Sequence, residues 1–248
     1  MTDMTDHLKI ARDGAVLTAT LARPDKKNAL TGAMYDALRQ ALNDADADAS
    51  VGAVLIAGEG GAFTAGNDIA DFLSGGALPA LRFVRTIAAC KTPIVAAVEG
   101  VAVGVGATML FHCDLVYAAP SALFKMPFID LALVPEAGAT LTVPQRFGMA
   151  KANEMLLLGD AIDAAEAHRL GLVNAVIAPG ELRAHALKQA RRLAAKPRGA
   201  LAASRAMIRG DVAPILARID EEAKAFEAAL KSDEARAAFM AFMSKGKA

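Results

Sequence analysis

Three glycines, Gly100, Gly104 and Gly106, follow the apolar run Ile94–Val98 and precede the apolar stretch Ala107–Phe111. Glycine lets a backbone take positive φ and lets another molecule approach it closely, so this spacing predicts a helix N-terminus exposed to a ligand. Free N–H groups there can hold a phosphate or a developing oxyanion. A second glycine-rich loop, GEGGAFTAGNDIADF at 58–72, follows another buried run, and Gly58, Gly60, Gly61 and Gly66 again bring backbone close to something. The third feature is an acid among apolar neighbours, Glu136 in LVPEAGAT at 133–140. Its plain reading is a helix-entry acid that favours the dipole of a helix starting at Thr140; its chemical reading is a general base.

Composition excludes several other activities. The chain has 248 residues, 54% of them hydrophobic, which is enough to bury a large core in one domain or in one domain with an appendage. Twenty-seven basic residues balance twenty-seven acidic ones, which argues against nucleic acid or an anionic membrane as the main partner. Cys90 and Cys113 form no CxxC pattern, and with four histidines no metal-ligand set can be read. Both cysteines are expected reduced and buried. The start, MTDMTDHLKI, has no apolar signal-peptide region, and the end, MSKGKA, is not a peroxisomal address, so the expected compartment is the cytoplasm. The apolar stretch 94–111 is broken by Glu99 and three glycines, so a buried strand and helix are expected there and not a membrane span.

The elements that must position these groups follow from periodicity. Residues 16–21 alternate as a half-buried strand, and Arg23-Pro24 ends it. Leu30 and Thr31 form a staple and N-cap for a helix with Met34, Leu38, Leu42 and Ala45 on one face. Further strands are expected at 51–57, 94–98, 115–118 and 173–177, with extended chain at 123–128. Helices are expected at 81–89, 140–147, 150–158, 163–170 and 181–195, and a mobile surface loop at 72–82. After Pro197 the faces at 201–208, at Ile215, Ile219, Phe226 and Leu230, and at Phe239, Met240, Phe242 and Met243 are all helical. The fold class is α/β, with a core at 1–196 holding the active site and an all-helical, oligomerising region at 197–248.

A dinucleotide-binding reading of the glycine loops fails, because Met109 stands where the fingerprint needs Gly or Ala and no acid closes the next strand. Taken together, RPDKKNAL at 23–30, the loop at 58–72, AAVEGVAVGVGATMLFHCDLVYA at 96–118 and LVPEAGAT at 133–140 resemble the crotonase, or enoyl-CoA hydratase/isomerase, superfamily. The resemblance extends to AAEAHRLGLVNAV at 164–176 and SDEARAAFMAF at 232–242. It implies a crotonase-like spiral of strand-strand-helix turns, assembled as a homotrimer or hexamer. The substrate it implies is an acyl-CoA thioester, with coenzyme A part of the substrate and no separate cofactor.

The match also implies site residues. The backbone N–H groups of Asn67 and Val105 would form an oxyanion hole. Lys26 and Ala29 would lie near the nucleotide, and Ala65, Asp68 and Ile69 along the pantetheine path, with Gly66, Gly104 and Phe128 as further substrate-side positions. The two glutamates with which hydratases activate water align with Thr108 and Phe128, which cannot do that work. Glu136 falls where Δ3,Δ2-enoyl-CoA isomerases of the peroxisomal type carry their single base. The alternatives are a hydratase or lyase with a relocated base, or a non-catalytic CoA-ester-binding paralogue. His112 and His168 are expected to be structural, and Glu99 stands where many relatives have an amide.

Overall fold

The computed structural model of the protein describes residues 7–245, with the side chains at 73–75, 242, 243 and 245 left undescribed. The terminal readings at 1–6 and 246–248, and the Phe242 and Met243 side chains, therefore lie outside the described residues. In chain order the elements begin with β1 (Leu8–Asp13), β2 (Val16–Leu21), α1 (Gly32–Ala47), β3 (Ala53–Gly58), α2 (Ile69–Gly75) and α3 (Leu78–Ala89). Then come β4 (Ile94–Val98), β5 (Val101–Val103), α4 (Val105–Thr108), β6 (Leu115–Ala118), β7 (Leu123–Lys125), α5 (Ala139–Phe147) and α6 (Met149–Leu157). The rest is β8 (Ile162–Asp163), α7 (Ala164–Arg169), β9 (Ala175–Val176), α8 (Pro179–Ala194), α9 (Arg198–Arg209), α10 (Ala213–Leu230) and α11 (Asp233–Lys245).

Among these residues the strands form two sheets, one ordered β1-β2-β3-β4-β6-β9 and one ordered β5-β7-β8. β4 pairs in parallel with β6, and the next strand along the chain, β5, pairs in parallel with β7. Each winding thus lays one strand in the large sheet and its successor in a second layer, which continues through the bridges Thr64–Ala102 and Leu30–Asn67. This is a spiral of strand-strand-helix turns, the architecture that the resemblance implies, with helices after residue 197.

Parallel strands need cover on both faces. One face of the large sheet presents Leu21, Val54, Ile56, Ala96 and Val116 to the main core, which α1 and α3 close with Met34, Leu38, Phe83 and Ile87. The other presents Leu55, Val95, Ala97 and Tyr117 to Leu182, Ala186 and Ala190 of α8. Each fully buried Leu or Phe contributes roughly 1.5–3 kcal/mol from removal of apolar surface from water. β2 is accordingly not half-buried as its alternation suggests. α8 lies over its second face, where Arg183 donates to Thr20 Oγ1 at 2.7 Å.

Several boundaries differ from expectation for local reasons. The stretch 72–82 is not a loop: Asp68 caps α2 by accepting the Asp71 N–H at 3.1 Å, and Pro79 sits in the first turn of α3, where its missing N–H costs nothing. The helix expected at 107–111 starts at Val105, runs one α-turn, and tightens into a narrower turn over Met109–His112; strand β5 separates Gly100 from Gly104. Extended chain stops at Lys125, and Phe128 already opens the turn Ile129–Leu131. The strand expected at 173–177 shrinks to β9, and β1 went unread because its outer positions are polar and exposed. Ile219 and Phe226 of α10 and Ala235 and Phe239 of α11 belong to the main core, so the tail is packed onto the spiral. Among the described residues no helix is long and apolar enough to cross a membrane.

Candidate active site

A cavity of about 720 Å³ lies between α2, α3 and α10, and its apolar wall includes Phe72, Leu81, Val84, Ile219, Phe226 and Leu230. Asn67, Val105 and Glu136 line the same cavity. Residues far apart in sequence meet here because the second layer is stitched by backbone bonds. Ala65 N–H donates to Lys27 O at 2.9 Å, Leu30 N–H to Gly66 O at 2.7 Å and Asp68 N–H to Leu30 O at 2.9 Å. On the other side Thr64 N–H donates to Val101 O and Val103 N–H to Thr64 O, each at 3.0 Å. Gly106 permits this approach, since a Cβ there would stand 2.4 Å from Thr64 Cγ2. Gly104 supplies the other requirement, a φ of +56° that turns the chain from β5 into α4 with open space around it.

The consequence is two free donors. Among the described residues, neither the Asn67 N–H nor the Val105 N–H donates to a protein acceptor, although their neighbours do. The Asn67 side chain is itself held, because Tyr35 of α1 donates its hydroxyl to Asn67 Oδ1. Burial, then the charges of Glu136 and Asp71, pushes the Tyr35 phenol well above its usual pKa, so it remains a donor.

Glu136 is one of three acids that line this cavity. Thr108 Oγ1 donates to its Oε1 at 2.5 Å. Burial raises its pKa to about 8, the Glu222 charge pushes the same way, and the Thr108 bond opposes. The other cavity-lining acids, Asp220 and Glu227, are paired with Arg85 and Lys231, whereas Glu136 has no cationic partner among the described residues. Its backbone is held in an unusual shape. Ala137 and Gly138 take consecutive φ values of +61° and +72°, a left-handed conformation that costs an alanine about 1–2 kcal/mol. Neighbours hold this turn: His112 Nε2 meets Ala137 O at 2.8 Å, and Glu222 accepts the N–H groups of Gly138 at 2.6 Å and Thr140 at 2.9 Å. His112 is buried, which lowers its pKa to about 4, so the ring is neutral and donates to that carbonyl. His168 likewise meets a backbone carbonyl, Val173 O, at 2.8 Å.

The other candidates lie outside this cavity wall. Lys26 is exposed in the turn Pro24–Lys26, while Ala29, Ala65 and Ile69 are half-buried and Gly66 is buried in the second layer. The Asp68 carboxylate is engaged by Arg23 at 2.6 Å and by the α2 cap, so it acts in the fold as a capping acid. Phe128 is buried, and its carbonyl accepts the Leu131 and Leu133 N–H groups, closing the turn that leads to Glu136. Glu99 is half-buried between β4 and β5. Tyr35 and Glu222 were not anticipated. Glu222 did carry a signal, an acid between Ile219 and Phe226 on the apolar stripe of α10, whereas nothing in the pattern around Tyr35 distinguishes it from a core aromatic.

Known proteins show the same arrangement of chain. The family model described as enoyl-CoA hydratase/isomerase matches residues 11–248. A protein of Rhizobium meliloti named a probable enoyl-CoA hydratase is 34% identical over 98% of this chain and 97% of its own length. Enoyl-CoA delta isomerase 2 of Rattus norvegicus is also 34% identical, over 95% of this chain and 63% of its own length. The crystal structure of an enoyl-CoA hydratase/isomerase from Pseudoalteromonas atlantica superposes with a TM-score of 0.93 at 40% identity, covering 97% of this chain and 98% of that one.

The environment of Glu136 makes stability depend on pH. Its folded-state pKa of about 8 stands above the ordinary 4.5, so the folded protein holds this proton more tightly than the unfolded chain does. Stability is lost as the pH rises through that window. Glu136→Gln, neutral throughout, should therefore melt progressively higher relative to the parent as the pH goes from about 5 to about 9. Differential scanning calorimetry of both proteins across that range checks this, and a difference in Tm that does not change with pH would contradict it.

Proposed function

The chain belongs to the enoyl-CoA hydratase/isomerase family, and within it we propose that this protein isomerises 3-enoyl-CoA to trans-2-enoyl-CoA with Glu136 as a single base. The observation that carries this reading is one carboxyl without a cationic partner sharing a cavity with two backbone N–H groups without a protein acceptor, among the described residues. The supporting absences are chemical: where a hydratase would place its glutamates stand Thr108, whose hydroxyl is directed to Glu136, and Phe128, which is buried in the turn behind it.

The steps follow from the donors and the base. The thioester oxygen accepts from the Asn67 and Val105 N–H groups, which acidifies the protons on the adjacent carbon C2. The Glu136 carboxylate takes one of them, and the electron pair of the broken C–H bond delocalises through C1 onto the thioester oxygen and through the C3–C4 double bond onto C4, as a dienolate. Each such donor stabilises that charge by about 3 kcal/mol. Glu136, now protonated, returns the proton to C4, which leaves the double bond between C2 and C3. No atom is gained or lost. A carboxyl with a pKa near 8 is a stronger base than an ordinary glutamate and still returns its proton readily at neutral pH.

Lys26 and Ala29 are assigned to the nucleotide end, and Ala65, Gly66, Asp68, Ile69, Gly104 and Phe128 to the shape of the path between. For assembly, the proposed trimer or hexamer is supported by Met207 and Ile208 of α9, which are 77% and 84% exposed and would otherwise be solvated.

Two measurements test the reading. With 3-enoyl-CoA, kcat/KM should rise with pH toward a plateau above about 8, hydration of 2-enoyl-CoA should be slow or absent, and Glu136→Gln should lower isomerisation by at least about 100-fold with little change in CoA-ester binding. Hydration as fast as isomerisation, or an active Glu136→Gln, overturns it. Light scattering at micromolar concentration should give three or six times the 25.6 kDa chain mass, and a monomer would remove the assembly from the proposal.

A further inference from the structure

Glu222 lies on α10, 86 residues beyond Glu136, yet it reaches the turn that carries Glu136. Its side chain is 5% exposed. One oxygen accepts the Gly138 N–H at 2.6 Å; the other accepts the Thr140 N–H at 2.9 Å and the Thr140 hydroxyl at 2.6 Å. These donors are the first groups of α5, so Glu222 caps that helix from another element and satisfies N–H groups that would otherwise be buried unpaired. Arg218, one turn earlier on α10, donates to Thr140 Oγ1 at 3.0 Å and completes the cluster.

Holding the turn from α10 does two things that an ordinary cap would not. It supports the left-handed Ala137–Gly138 step, a strained shape that persists only where surrounding contacts impose it. It also places a second carboxylate near enough to Glu136 for its charge to push that group's pKa up. Two carboxyls that face one another cannot both ionise easily, and their environments decide which does so first. Glu222 has three hydrogen-bond donors and the Arg218 guanidinium, whereas Glu136 has one hydroxyl. The charged groups around this pair are mostly engaged elsewhere: Arg218 of α10 also pairs with Glu221, Arg85 of α3 with Asp220 and Lys231 with Glu227, while Lys224 lines the cavity and Tyr35 of α1 faces Glu136 as a neutral phenol.

We propose that Glu222 is a positioning residue of the site, fixing from α10 the turn that presents the Glu136 carboxyl. The role rests on the reading of Glu136 as the base. Because α10 also supplies Ile219 and Phe226 to the cavity wall, the helix that covers the acyl chain is the one that sets the base. In physical terms, seating the acyl chain against α10 and presenting the carboxyl are parts of one arrangement. Burial raises the pKa of Glu222 too, against the pull of its donors.

The test uses the full-length chain with Glu222→Gln and Glu222→Asp. The Glu136 carboxyl is titrated directly by carbon NMR on glutamate-labelled protein, its signal assigned by its loss in Glu136→Gln. Glu222→Gln removes the charge and should lower the Glu136 midpoint by at least about half a pH unit, with the acid limb of kcat/KM moving by the same amount. Glu222→Asp keeps the charge but shortens the reach, so its midpoint should stay near that of the parent while kcat falls at least about fivefold with KM little changed. A lower Tm with the midpoint, the acid limb and kcat all unmoved would make Glu222 a structural cap and overturn the proposal. If Glu222→Gln does not fold, the Glu222→Asp kcat decides: a parental value overturns it. A parent that shows the Glu136 titration and its Glu222 dependence but does not isomerise 3-enoyl-CoA would refute the assigned reaction while leaving the positioning role intact.

Discussion

The cost of placing an acid without a cationic partner in an apolar cavity governs this molecule. Glu136 has one hydroxyl donor and faces another carboxylate, so in isolation it favours the neutral form and a conformation that returns it to water. The structure opposes that escape from three directions. His112 anchors the carbonyl of Ala137, Glu222 anchors the N–H groups of Gly138 and Thr140, and Thr108 engages the carboxyl itself. The strained Ala137 is the local mark of this constraint. An acid kept in place against its own hydration is basic in the way that removal of a weakly acidic C–H requires.

The spiral supplies the complementary half. Each winding offers the second layer a short segment whose ends can be trimmed to leave an N–H unbonded, and Asn67 and Val105 are two such ends on adjacent windings. The adjacency depends on the absence of a side chain at Gly106 and on the turn at Gly104. Among the described residues the large sheet contributes no cavity-lining side chain; its part is to hold the windings in register between the main core and α8. The C-terminal helices then close the cavity. α10 is at once cavity wall, cap of α5 and electrostatic neighbour of Glu136, so the tail packs directly onto the candidate site.

Much of this was legible in the sequence, and the gaps have physical causes. Thr31, Met34, Leu38 and Leu42 announce α1 because cap and periodicity agree there, and the apolar run Ile94–Val98 announces a strand covered on both faces. The glycine strings marked the right loops, since close backbone approach is what glycine permits, and Glu136 stood out as an acid among apolar neighbours. Pairing was not legible. That Gly106 packs on Thr64, or that Tyr35 holds Asn67, depends on contacts 42 and 32 residues apart along the chain that no local pattern encodes. The stretch 72–82 was misjudged because its Gly, Ser and Pro are loop residues by composition, while the cap from Asp68 and the first-turn position of Pro79 make them helix boundaries. Glu222 was legible in principle as a charge on an apolar stripe, but its partners are 82 and 84 residues away.

The most direct measurement is a crystal structure of the protein with a non-isomerisable acyl-CoA thioester bound. The account places the thioester oxygen about 2.7–3.1 Å from both the Asn67 and Val105 nitrogens, with a Glu136 carboxyl oxygen over the carbon beside the thioester and within reach of the carbon two further along. A thioester oxygen bound elsewhere, or an acyl chain that passes Glu136 with neither carbon facing it, would contradict the central claim that one half-buried carboxyl and two backbone donors perform the reaction.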